Sequence, residues 1–370
     1  MAKVRDKGLV DRLAMLNWSF IFFITITSFI GFAVLYSAAQ GNLSPWASSQ
    51  MIKFSVLFPF MLLIALIDLK FWFRISYVLY AMAFLAIIAT EFFGFTAMGA
   101  TRWLRVGPVS IQPSEIMKVC EVFALARYFQ SINPSDIGKI TFVIPPIIMV
   151  LAPAAFVLKQ PDLGTALILI FVGGALFFVA GVRIWKFVVV LVGGIIALPF
   201  AWGHLHDYQK NRFLSFLSPE SDPLGNGYNI LQSKIAIGSG GFLGKGFLKG
   251  TQGQLSFLPE KQTDFIFTMF TEEFGFVGGA TVIFLYLTII TYGIFIALDS
   301  KSHFGRLMAM GLISCFFFHA CINIAMVMGL IPIVGVPLPL LSYGGSIMMT
   351  MLVSFGLILN VSLYKDEDFD

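Results

Sequence analysis

From Leu13 to Met51 the chain carries no charged residue. Within that stretch, the apolar block from Trp18 to Tyr36 approaches the ~20 residues needed to cross a bilayer as a helix. Comparable stretches recur near 52–67, 75–93, 114–130, 140–158, 163–181, 184–203, 264–297, 306–330 and 343–363, which makes ten candidate spans in 370 residues. Only 12% of the chain is charged and 58% is hydrophobic. A soluble domain runs at about a quarter charged, so this chain cannot tile a water-facing surface, and the same composition excludes disorder. Mean hydropathy, +0.88, agrees. The expected fold is an all-α polytopic membrane protein of about ten transmembrane helices. It forms one integral membrane domain over 1–370, with a large extracytoplasmic loop, about 204–263, between helices 7 and 8.

Lys3, Arg5, Lys7 and Arg12 precede the first apolar run as in a signal peptide. The run is longer than a signal core of roughly 7–15 residues, so it reads as a retained helix. With the N-terminus inside, the inner connections hold thirteen of the 24 Lys and Arg, among them Lys70, Arg74, Lys139, Arg183, Lys186, Lys301 and Arg306. The short outer connections hold Lys53, Arg102, Arg105 and Lys159. That asymmetry places both termini in the cytoplasm and the long loop outside.

Neither the cysteines nor the histidines suggest a metal centre. Cys120, Cys315 and Cys321 lie in apolar stretches, and His204, His206, His303 and His319 form no cluster at ligand spacing. The outer segments are more telling. A loop near 60 residues greatly exceeds the usual helix connection. It carries Tyr228, Leu231 and Ile235 at helical spacing, then seven glycines between Gly238 and Gly253 with Lys245 and Lys249 among them. That run reads either as a flexible loop or as a cradle of backbone N–H groups for phosphate, without the Gly-Lys-Ser/Thr of a nucleotide loop. Residues Ile331 to Ser346, with Pro332, Pro337 and Pro339, are irregular. Such backbone near lipid must be buried in protein or line a wet cavity.

Charges inside spans cost on the order of 2.5–3.5 kcal/mol each even on lenient scales. Glu115, Lys118 and Glu121 lie three apart on one helix face, as an insertion-easing ion pair or as the wall of a polar cavity in which Lys118 meets an anionic group. Asp264 stands just before the eighth span, as a helix cap or as a partly dehydrated base. Glu272 and Glu273 fall ~12–13 Å further along that helix. Asp162 opens the sixth span as a cap or a positioning residue.

Five ordered motifs carry a resemblance. Gly99 to Glu115, Gln160 to Thr165, Asp222 to Gly246, Phe257 to Gly275 and Pro337 to Ser346 resemble the shape, elongation, division and sporulation (SEDS) family across nearly the whole chain. The run Lys249 to Gln252 before Phe257 to Glu260 looks more like its rod-elongation branch than its division branch. The resemblance implies a peptidoglycan glycosyltransferase that polymerises lipid II on the outer face of the bacterial cytoplasmic membrane during elongation and rod-shape maintenance. It also implies a class B penicillin-binding transpeptidase and further elongation-complex proteins as partners, in membrane lipid and without nucleic acid. By motif, Asp264 matches the family's essential aspartate, and Arg102, Trp103, Glu115 and Lys118 match its outer-cavity motif.

The implied chemistry is an inverting transfer in which Asp264 removes the proton of the attacking sugar hydroxyl and undecaprenyl pyrophosphate leaves as an anion. One carboxylate suffices because the leaving group is good. A glycosidase needs two. Arg102, Lys118, Arg212 and Lys234 are the candidate pyrophosphate cations, and a Mg2+ or Mn2+ ion is a further candidate with no assignable ligands. The rival reading is a lipid II flippase, which intramembrane charges and a broken segment would also serve. No internal repeat is evident, and the most suggestive carboxylate lies at the outer boundary, not the midplane, which favours the enzyme.

Overall fold

The computed structural model describes residues 7–97, 100–107, 109–133, 136–204, 207–222, 225–254 and 257–367. After a short helix α1 (Leu9–Ala14) come α2 (Trp18–Ala38), α3 (Trp46–Leu66), α4 (Leu69–Phe93), α5 (Pro113–Gln130), α6 (Ile140–Lys159), α7 (Leu163–Val179) and α8 (Ile184–His204). The long connection holds α9 (Asp207–Leu217), α10 (Asn226–Gly240) and α11 (Thr251–Gln254), and the chain closes with α12 (Ile266–Asp299), α13 (His303–Val327) and α14 (Gly345–Leu363). The ten expected spans are α2 to α8 and α12 to α14. Seven of them are long and apolar enough to cross a membrane by length and composition, while α7 and α8 have shorter apolar stretches. The protein is a multi-pass membrane protein.

Helix α5 misses the apolar standard because its charges are turned inward. It packs against α4, α6, α7, α13 and α14, and Glu115, Lys118 and Glu121 are all buried. Burial within protein removes the contact with lipid that makes such charges expensive. Helix α8 is the opposite case. Its side chains Val188, Val189, Val190, Leu191, Ile195, Ile196 and Phe200 are exposed, as a lipid-facing helix requires.

The fold is nearly all α, with one small sheet between α4 and α5. Strands β1 (Phe95–Ala97), β2 (Ala100–Val106) and β3 (Val109–Ile111) form an antiparallel sheet in the order β1-β2-β3, with Leu104 opposite Ile111. Gly107, at φ 63°, begins the β2–β3 turn in the left-handed region that glycine enters most easily. Short strands between strong helices produce little periodicity of their own. The sheet stiffens the connection that carries Arg102 and Trp103.

One correction concerns α12, which breaks at Gly275 (φ 65°, ψ −161°). Residues 276–299 alone rise ~36 Å, enough to span the hydrocarbon core. The preceding half-helix, 266–274, is therefore free to lie among protein, and its residues from Ile266 to Glu273 are all buried. A broken helix leaves backbone groups without partners. Here the glycine-rich stretch supplies them. Lys245 N–H donates to the Glu272 carbonyl (3.1 Å) and Gly246 N–H to that of Glu273 (2.9 Å), while Phe276 N–H donates to the Gly241 carbonyl (2.9 Å) and Val277 N–H to that of Phe242 (3.2 Å).

This contact explains the glycines. A Cβ on Gly240 would collide with the Thr271 carbonyl, and one on Gly244 (φ 82°) with the Glu273 carbonyl. The stretch is neither a loose loop nor a phosphate cradle, because its amides are committed to protein carbonyls. Side chains add to the closure. Glu272 accepts from Lys245 Nζ (2.7 Å), Thr251 Oγ1 (3.0 Å) and Gln252 N (3.1 Å), and Glu273 accepts from Ser37 Oγ of α2. Both carboxylates are therefore structural.

We expect Gly244→Ala to destabilise the detergent-solubilised protein by more than about 2 kcal/mol, through overpacking and a positive φ. Gly174→Ala, with nothing within 4 Å of the added carbon, should stay within about 0.5 kcal/mol of wild type in the same thermal unfolding measurement.

Candidate active site

Asp264 lies at the end of the loop, two residues before the buried half-helix. It is not the cap of α12: the N-cap position belongs to Phe265, and no side chain caps it. Its carboxylate is therefore left for other work. The backbone around it is held on three sides. Asn323 of α13 donates from Nδ2 to the Asp264 carbonyl (2.8 Å) and to the Val336 carbonyl (2.7 Å). Ser342 Oγ donates to the Thr263 carbonyl (2.6 Å), and Tyr343 N–H donates to that of Gln262 (2.8 Å).

The irregular stretch 331–344 thus serves as the clamp for the Asp264 loop. It is buried in protein, as irregular backbone at this depth must be, with Val334, Val336, Leu338, Leu340 and Leu341 all inside. Gly335 (φ 71°) brings backbone close to the carboxylate; a Cβ there would sit 3.5 Å from Asp264 Oδ2. Gly164, at the start of α7, is equally constrained, since its Cβ would lie 2.8 Å from the Val334 carbonyl. The clamp therefore rests on the end of α7 that carries Asp162.

Burial raises the Asp264 carboxyl to about 7, helped by the like charges of Glu260 and Asp162 and opposed by the Arg212 guanidinium. The structure thereby brings Arg212, Asp162 and Glu260 into the electrostatic surroundings of Asp264. Asp162 itself is densely bonded. It caps α7 by accepting from Thr165 N (3.1 Å) and Thr165 Oγ1 (3.0 Å), and it also accepts from Gln112 Nε2 (3.1 Å). Arg102 Nη1 lies 3.7 Å from the same carboxylate. Of the two sequence readings of Asp162, the structure shows the cap, whose carboxylate also holds Gln112 and lies near Arg102.

Arg102 is anchored as well as paired. Its Nε donates to the Gln160 carbonyl (2.9 Å) and Nη2 to that of Pro161, which ties β2 to the α6–α7 corner. Trp103 follows it on the same strand, opposite Phe95, so it projects from the other face of the sheet. The two are neighbours in sequence without forming one binding patch.

Glu115 and Lys118 form the ion pair anticipated from their spacing, at 2.7 Å. The alternative, an ammonium open to an anionic group, is not what the structure shows. Lys118 is 1% exposed, and its second contact is His319 Nε2 of α13 at 2.8 Å. Lys234 is displaced from expectation too. It lies across Gly329 just beyond the carbonyl end of α13, where a cation suits the helix dipole.

His319, Asn323, Gln160 and Glu260 belong to this region and were not singled out in the sequence. One signal was available for two of them: Cys315, His319 and Asn323 recur every fourth residue in an otherwise apolar helix, a polar stripe that points inward in membrane proteins. Among the described residues no three His, Cys, Asp or Glu side chains converge as metal ligands, and Asp162 is already occupied by donors. The donor set does not fit a resident divalent ion.

A folded carboxyl raised from 3.8 to about 7 binds its proton more tightly than the unfolded chain does, so stability falls as pH climbs through that window. Asp264→Asn removes the effect. Its melting temperature in detergent should exceed that of wild type by more at pH 8 than at pH 5; a pH-independent difference would show that the carboxylate is not desolvated.

Residues 11–367 match the cell cycle protein family of FtsW, RodA and SpoVE. The chain is 42% identical over 292 residues to the peptidoglycan glycosyltransferase MrdB of Escherichia coli K12, covering 78% of this chain and 77% of that protein. It is 35% identical over 371 residues to MrdB of Helicobacter pylori 26695, covering 97% and 92%. Among solved structures, a chain of a peptidoglycan synthase complex that coordinates polymerisation and crosslinking superposes with a TM-score of 0.83 at 29% identity, over 95% of this chain and 99% of that one.

Proposed function

The chain belongs to the FtsW, RodA and SpoVE family and is a peptidoglycan glycosyltransferase of cell elongation, and on that premise we propose that it polymerises lipid II with Asp264 as the general base. The observation that carries the reading is a carboxylate that caps nothing, lies in the field of the Arg212 guanidinium and is raised by burial to about 7. A base works best with its pKa near the operating pH, where it is free of its proton yet still basic. Asp264 accepts the proton of the attacking sugar hydroxyl as the new glycosidic bond forms, and undecaprenyl pyrophosphate departs with the bonding pair, in one inverting displacement.

Base catalysis of this kind supplies ~10²–10⁴ in rate, and the remainder must come from holding two lipid-borne substrates and stabilising the leaving pyrophosphate. Arg212, within the field of Asp264, and Arg102, fixed on the Asp162 corner, are the cations we assign to that task. Lys118 and Glu115 sit behind them as buried support, and Trp103 is assigned to the adjoining rim. A Mg2+ or Mn2+ ion would supply further charge neutralisation to the pyrophosphate, and no residue of this protein is assigned to hold it. The proposed setting is the bacterial cytoplasmic membrane, with both termini inside and Asp264 on the outer face. A class B penicillin-binding transpeptidase is the proposed partner, supported by the similarity to a synthase complex that both polymerises and crosslinks.

The test is polymerisation of purified lipid II by the protein in complex with its transpeptidase partner, followed on gels. Wild type should make glycan strands, and folded Asp264→Asn should lose at least 10²-fold in rate. The wild-type rate should climb about tenfold per pH unit below about 7 and level above it. Near-normal polymerisation by Asp264→Asn would remove the base assignment, whereas no strands from a folded wild-type complex would favour lipid II transport.

A further inference from the structure

Among the described residues Lys118 is one of the bulkiest fully buried side chains, and it carries a charge. Its ammonium has three N–H donors to satisfy in the interior. One goes to Glu115 Oε1 (2.7 Å), and a second goes to His319 Nε2 (2.8 Å). An ammonium can only donate, so Nε2 must present its lone pair. The ring proton is then on Nδ1, which is 2.8 Å from the Cys315 carbonyl, one turn earlier on the same helix. Both ring nitrogens are thus assigned, and the imidazole is locked as one neutral tautomer.

The same helix face continues to Asn323, one further turn (~6 Å) along. Asn323 holds the backbone of Asp264 and of Val336 with its two amide hydrogens. A single rigid face of α13 therefore grips the Glu115–Lys118 pair of α5 through His319 and the Asp264 loop through Asn323. Glu115 Oε2 is buried with no hydrogen-bond partner among the described residues. Glu115 takes one N–H of the ammonium and His319 Nε2 of α13 takes another, so Lys118 is held between two helices.

We propose that His319 is a positioning residue for the glycosyl transfer: its neutral imidazole fixes the Lys118 ammonium and, together with Asn323, makes α13 the element that registers the Glu115–Lys118 pair against Asp264. The proposal rests on the reading of Asp264 as the base. His319 touches neither substrate nor reacting atoms. Its contribution is to keep the charged layer behind the site in one arrangement while Asp264 works, because a side chain held by packing and hydrogen bonds positions its neighbours better than a mobile one.

Two amides separate this role from simple packing. In His319→Gln the side-chain oxygen can take the place of Nε2 and accept from Lys118. In His319→Asn the shorter amide can reach the Cys315 carbonyl, as Nδ1 does, but not Lys118. Lipid II polymerisation by the complex with the transpeptidase should stay within about threefold of wild type for His319→Gln and fall at least tenfold for His319→Asn. Equal rates in the two variants, or the reverse order, would overturn the proposal. Thermal unfolding provides the second arm. Substituting His319→Asn should lower the melting temperature markedly when Lys118 is present and little when Lys118→Met has removed the ammonium; equal losses in both backgrounds, including failure to fold in both, would overturn it. Failure of wild type itself to polymerise would instead reject the enzymatic reading and this proposal with it, whereas an active wild type with indistinguishable Gln and Asn variants rejects the role of His319 alone.

Discussion

The break in α12 at Gly275 is the constraint from which the arrangement around Asp264 follows. A helix interrupted at the edge of lipid must find new partners for its loose carbonyl and amide groups, since an unsatisfied backbone group there costs several kcal/mol. Lys245, Gly246, Gly241 and Phe242 supply those partners, and they approach only because glycines leave room for one backbone against another. The half-helix from Ile266 to Phe274 can then sit inside protein, and Asp264 at its head is partly withdrawn from solvent. Glu272 and Glu273 belong to this closure, not to the chemistry.

Once Asp264 is set there, its electrostatics follow from its neighbours. Like charges from Glu260 and Asp162, added to burial, hold the carboxyl near 7 despite Arg212. Asp162 is itself held by Thr165, Gln112 and Arg102. Behind this layer, α5 and α13 share Lys118 between Glu115 and His319. The polar residues of the bundle therefore form successive layers, each ordered by hydrogen bonds from the next. Such networks are stable in low dielectric only when nearly all members are satisfied.

Much of the architecture was legible in the sequence. The ten long helices fall close to the ten apolar runs, because in lipid the length and apolarity of a segment are themselves the folding signal. The sheet at 95–111 was missed: strands of three to seven residues between helices give too short a pattern to register. The break at Gly275 was also missed, because glycine is common in membrane helices and nothing local distinguishes a kink from a close contact. At the site, the Glu115–Lys118 pair and the Asp162 cap were each one of two readings the sequence left open, and the structure shows both. Where Lys234 of α10 lies, across Gly329, was not legible because a polar helix residue carries no sign of which surface it will lie across. His319 was overlooked because its partner is 201 residues away in the chain.

The sequence by itself determined that this chain crosses a membrane many times, which runs do so, and that a few charged residues must be turned inward. These properties follow from local apolarity and from the high cost of exposing charge to lipid. Only the tertiary structure decided which partners most of those charges take. Lys118, Asp162, Glu272 and Glu273 all take partners brought from distant segments, whereas Asp264 caps nothing, because the helix after it is capped by no side chain and the clamp at 331–344 grips the backbone of its loop instead. That distinction depends on contacts between residues far apart in the chain, and no local pattern encodes it.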